Sequence, residues 1–106
     1  MKEISEDIIQ QIKERIVKLF HPYKIILFGS SAIGKTKKYS DIDLLIIQKS
    51  ELPMHKRSIP IISALKDFEV PMDIIVYTPG EVEKWKDAST AFVTNVLKNG
   101  KVLYEK

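Results

Sequence analysis

The apolar positions of the chain switch between a helical and an extended period, and the switches mark its elements. Residues 5–20 (SEDIIQQIKERIVKLF) place Ile8, Ile12 and Ile16 at helical spacing among charged and amide side chains. Ser5 is placed to cap, and Glu6 and Asp7 suit the positive N-terminal end, so the spacing predicts an amphipathic helix that Pro22 ends. KIILF (24–28) is a short apolar run between Pro22 and Gly29, and reads as a buried strand. DIDLLII (41–47) and MDIIVY (72–77) read as two more strands. Between them Pro53 falls in a loop, and residues 58–68 predict a helix with Ile61, Ile62, Leu65 and Phe68 facing inward and Pro60 in its first turn. Thr78-Pro79 has the form of an N-cap followed by proline at the first helical position, opening a helix through Trp85. Residues 89–98 predict a last helix stopped by Asn99-Gly100, and KVLY (101–104) adds an edge strand. The order is α-β-β-α-β-α-α-β, which predicts an α+β fold: a mixed β-sheet flanked by helices in a single domain, 1–106.

Composition narrows the chemistry. The chain has 106 residues, no cysteine, and only His21 and His55 as imidazoles. Thiolate and zinc clusters are therefore excluded, and a divalent metal would have to be held by oxygen. Seventeen Lys+Arg against 14 Asp+Glu is too balanced to indicate nucleic-acid binding by itself. No run approaches a membrane span and the charged N-terminus does not resemble a signal peptide, so a cytoplasmic location is expected.

GSSAIGKT (29–36) satisfies the P-loop pattern letter for letter and follows an apolar strand. A P-loop threonine, however, opens a long helix, and a parallel crossover needs about 10–12 residues or more. Only Lys37 to Ser40 separate Thr36 from the DIDLLII strand, whose acids begin it rather than close it. The same glycine supports another chemistry. Asp41 and Asp43, at i and i+2 of a strand, leave one face about 7 Å apart along the chain, while Ile42, Leu44 and Ile46 take the other. Two acids at the head of an apolar strand repel each other and resist desolvation. A hard divalent cation with oxygen preference, such as magnesium, compensates both effects. Asp73 repeats the arrangement at the head of MDIIVY. If that strand lies beside 41–47, three carboxylates meet at one end of the sheet, where they could bridge two metals about 3.5–4 Å apart. Gly29 would let the backbone approach a phosphate, Ser30 would donate a hydroxyl and an N–H, and the Lys35–Lys38 run would form a basic rim.

The run LFGSSAIGKTKKYSDIDLLII, with VPMDIIVY after it, resembles the signature of the DNA polymerase beta-like nucleotidyltransferase superfamily. Within it the chain is similar to the minimal nucleotidyltransferases that act as antitoxins to a helical HEPN ribonuclease toxin. The resemblance spans roughly residues 20–105 and implies the polymerase beta-like fold. It also implies magnesium-dependent transfer of a nucleotidyl group, usually AMP from ATP, to a hydroxyl, which in the antitoxin pairs is a tyrosine of the toxin. By position it makes Gly29 and Ser30 the holders of the β- and γ-phosphates, and Asp41 and Asp43 ligands of two magnesium ions. Asp73 becomes a ligand of one ion and the acceptor of the attacking hydroxyl's proton. Many relatives carry arginine where Ile33 stands; here Lys35 or Lys37 takes the phosphate charge as a point charge rather than a planar fork. Competing expectations are transfer to an RNA end or a small hydroxylated molecule, and a degenerate antitoxin that acts by contact alone. Three clustered acids serve no purpose in the last.

Overall fold

The computed structural model describes residues 5–29 and 41–106. Helix α1 (Glu6–Phe20) is capped by Ser5, whose hydroxyl accepts from the Ile8 N–H, and ends at His21 in the left-handed conformation. Strand β1 (Lys24–Phe28) is followed by β2 (Ile42–Ile47), helices α2 (Met54–Arg57) and α3 (Ile59–Ala64), and a 3₁₀ turn (Lys66–Phe68). Strand β3 (Met72–Tyr77), helices α4 (Pro79–Trp85) and α5 (Phe92–Asn99), and β4 (Lys101–Glu105) complete the order. The four strands form one sheet ordered β3-β2-β1-β4, with β2–β3 parallel and the other pairs antiparallel.

Alternation along the strands divides the core between two faces. Ile25 and Leu27 of β1, Ile42, Leu44 and Ile46 of β2, and Ile74 and Val76 of β3 pack against Ile9, Ile12 and Ile16 of α1 and Ile61 of α3. Ile26, Leu45 and Ile47 pack on the opposite face against Val93 and Val96 of α5. Leu44 is fully buried, and Leu44→Ala would cost about 2–5 kcal/mol.

The mixed α+β architecture and all four strands stand as the sequence predicts, although β2 begins at Ile42 rather than Asp41. The helix expected over 58–68 is instead broken. Pro60 stands in the first turn of α3 as expected, but α3 stops at Ala64 and Lys66–Phe68 continue only as the 3₁₀ turn. Ile62, expected inward, is 40% exposed, while Ile61, Leu65 and Phe68 are buried as expected. Pro53 lies in the loop as expected, at its end, immediately before α2. Helix α1 buries Ile9 more fully than Ile8, which packs at the margin. The last helix starts at Phe92, not at 89, because the Asn95 side chain donates to the Ser89 and Ala91 carbonyls and holds a turn there.

The P-loop alternative fails on topology. β1 and β2 are antiparallel neighbours, where a P-loop requires a parallel crossover.

Candidate active site

Asp43 is the second residue of β2 and Asp73 the second of β3, and the parallel ladder sets them in register. Neighbouring strands lie about 4.8 Å apart, so the two side chains leave the same sheet face side by side. Asp41 precedes β2 and, like Asp73, is exposed, whereas Asp43 is half-buried. Burial holds the Asp43 carboxyl above the usual carboxylate range, and the charges of Asp73 and then Asp41 raise it further. Asp73 and Asp41 thus both act on Asp43 at one end of the sheet. Among the described residues, no three acidic or histidine side chains already close around a point that would hold an ion. The donor set is nonetheless all oxygen and mutually repelling, which fits a hard cation drawn in with a phosphate.

Gly29 follows Phe28, the residue of β1 that pairs with Asp43. Its φ of 77° lies in the left-handed region. A Cβ there would run into the Asp43 carboxylate oxygen. Glycine is therefore required twice, for the backbone angle and for the space beside the acid. Ser30, Ile33, Lys35, Lys37 and Lys38 lie outside the described residues.

One feature of the site escaped sequence reading. A cleft of about 570 Å³ runs along β3 beyond Asp73, with Ile75, Tyr77, Met54, His55 and Phe92 in its lining. Phe92 meets Phe28 edge-on at 5.5 Å and stacks on Tyr77 at 6.5 Å, linking the β1 end of the site to β3. Ile75 and Tyr77 follow Asp73 at i+2 and i+4 and were readable as its face-mates. Phe92, by contrast, reaches the site only through the tertiary position of α5. The far end of the cleft is fixed by Arg57, which donates to the Leu52 and Val76 carbonyls and to Glu81. Glu81 also closes the capping box of α4 with Thr78.

Residues 9–103 match the model of the nucleotidyltransferase domain family. The chain is 30% identical over 100 residues to a candidate protein adenylyltransferase of Methanocaldococcus jannaschii, covering 94% of this chain and 91% of that one. Its fold is shared with a candidate nucleotidyltransferase of Sulfolobus solfataricus at a TM-score of 0.60 and 23% identity, over 94% of this chain and 79% of the other. It is shared equally with a toxin–antitoxin crystallised with AMP-PNP, at a TM-score of 0.60 and 23% identity, over 97% and 75%. At those identities the two solved structures establish the fold, and the family model establishes the membership: this chain belongs to the nucleotidyltransferase domain family and is a nucleotidyltransferase.

Proposed function

We propose that the chain is a magnesium-dependent adenylyltransferase that moves AMP from ATP to a tyrosine hydroxyl of a helical HEPN toxin, and so acts as an antitoxin. The observation that carries this reading is the in-register pair Asp43–Asp73 abutting Gly29, with Asp41 beside them. Asp41 and Asp43 would hold two magnesium ions and Asp73 one of them, which would neutralise the phosphates and lower the pKa of the attacking hydroxyl. Gly29 lets the β- and γ-phosphates approach the backbone, Ser30 donates to them, and Lys35 and Lys37 add positive charge. Asp73, the most outlying of the three on the sheet, takes the proton of the entering hydroxyl as pyrophosphate leaves. The adenylyltransferase name of the archaeal relative and the AMP-PNP in the toxin–antitoxin neighbour favour ATP and a toxin partner.

The test is ATP labelled at the α-phosphate, incubated with magnesium, this protein and the proposed helical partner. Label should appear on a tyrosine of the partner with stoichiometric pyrophosphate. Label in RNA or a small hydroxylated molecule instead would move the acceptor. Absence of both label and pyrophosphate under magnesium and manganese would overturn the reading.

A further inference from the structure

The outer edge of β3 has hydrogen-bonding capacity left over beside Asp73. β3 is an edge strand whose only strand partner among the described residues is β2. The Pro71 and Tyr77 carbonyls accept from Ile42 and Gln48, so the odd-numbered residues of the strand aim their backbone groups inward at β2. Alternation then turns the N–H and C=O of Met72, Ile74 and Val76 outward. The Val76 carbonyl confirms this by accepting from Arg57 at 3.3 Å. Arg57 therefore occupies the edge at Val76, and among the described residues the open stretch is Met72–Ile74, centred on Asp73.

The cleft follows the same edge. Four consecutive β3 residues, Ile74 to Tyr77, line it, which side chains of a single face cannot do; the backbone edge is its wall. Unpaired edges are normally covered or charged against unwanted pairing, and extended peptides bind by adding a strand to them. The opposite wall is α2, whose His55 lines the cleft and whose exposed Lys56 comes next in the helix, and the cleft lining contains no carboxylate.

We propose that the acceptor protein docks as an extended, hydroxyl-bearing segment that pairs with Met72–Ile74 as an added strand, with acidic residues where it passes α2. This rests on the transferase reading and names how its acceptor is held. An added strand continues the series Gly29 on the β1 side, Asp43 on β2 and Asp73 on β3. It sets one side chain beside Asp73 as Asp73 stands beside Asp43. In-line displacement requires the entering oxygen opposite the leaving group. With pyrophosphate at Gly29, the entry side is the far side of Asp73. The hydroxyl oxygen bonds to the α-phosphorus, the bond from that phosphorus to the bridging oxygen breaks, pyrophosphate takes the electron pair, and Asp73 takes the proton.

The test uses a short synthetic peptide of alternating threonine and valine, with a central tyrosine and glutamates at one end, at millimolar concentration. Without nucleotide, it should slow amide exchange of Met72 and Ile74 by about tenfold or more and leave inward-facing Ile75 unchanged. With Mg-ATP labelled at the α-phosphate, methylating one alternate set of peptide amides should cut labelling about tenfold, from the lost backbone hydrogen bonds, and the other set should not. Unchanged exchange at Met72 and Ile74, or labelling indifferent to both methylation patterns, overturns the docking mode. Protection without labelling leaves the edge site standing and counts against the transferase reading, so the two failures are distinguishable.

Discussion

Asp43 sits directly between Gly29 and Asp73: the first leaves room for its carboxylate by having no side chain, and the second faces it in register across a parallel ladder. The acids are thereby held together by sheet pairing, with the apolar residues that alternate with them anchored in the core. Repulsion cannot push the strands apart, because Leu44 and Ile46 of β2 and Ile74 and Val76 of β3 are buried beneath them.

Two glycine substitutions should separate activity from stability. Gly29→Ala forces alanine to a φ of 77° at about 1–2 kcal/mol and displaces the flexible Asp43 carboxylate. Transfer should fall by more than tenfold, and the fold should survive. Gly100→Ala is the converse, since its Cβ would meet Ile26 Cγ2 at 2.5 Å and the Val96 carbonyl at 2.7 Å, with no acid among its nearest neighbours. It should lower the melting temperature at least as much, and folded protein should lose less transfer than Gly29→Ala. Kinetics and thermal melts on the two variants check the contrast.

The clamp behind the cleft predicts a pH dependence. Glu81 has its pKa lowered, chiefly by the hydrogen bond from Arg57 at 2.6 Å. A depressed carboxyl contributes stability that is complete above its unfolded value, near 4.5, and is lost as pH falls through the lower folded value. Glu81→Gln should therefore cost about 1–2 kcal/mol at neutral pH, and the gap from wild type should close on acidification. Melting curves from pH 7 to pH 3 check this, and a gap that widens in acid contradicts it.

The P-loop pattern offers a ranking. Lys35 would contact the transferred phosphate of a P-loop, but in the proposed transferase it would be only an auxiliary charge. Ser30→Ala should reduce transfer more than Lys35→Ala does. The reverse order in kcat/KM would contradict the assigned roles.

Much of this was legible in the sequence, for identifiable reasons. The strands were bounded by Pro22, Gly29 and Pro71, and their apolar runs were too short for helices. Acids heading two of those strands were improbable without a common purpose, and the parallel pairing of β2 with β3 brings them together. What stayed hidden depends on contacts between distant segments. Ile62 lies within α3 beside the buried Ile61 and is still exposed, which periodicity alone does not register. Arg57 and Glu81, 24 residues apart, form a clamp that no local pattern announces. Nor did anything around Phe92 indicate that α5 would lay its ring between Phe28 and Tyr77.

The most direct measurement is the metal-free and Mg-ATP-bound melting temperature of Asp43→Asn and Asp73→Asn. Asp43 has a raised pKa, so its ionised form destabilises the fold; the penalty is absent below its unfolded value, 3.8, and sets in as pH rises through the folded value. At neutral pH, removing one charge from the in-register pair should stabilise the metal-free protein by on the order of 1 kcal/mol after solvent screening, or roughly 4–8 °C. Mg-ATP at about ten times its dissociation constant should add about 1.4 kcal/mol to the wild type and little to either variant. The opposite signs cannot come from a general loss of fold. If both variants melt lower than wild type without metal, and both gain as much from Mg-ATP, the acids are not one nucleotide-binding site.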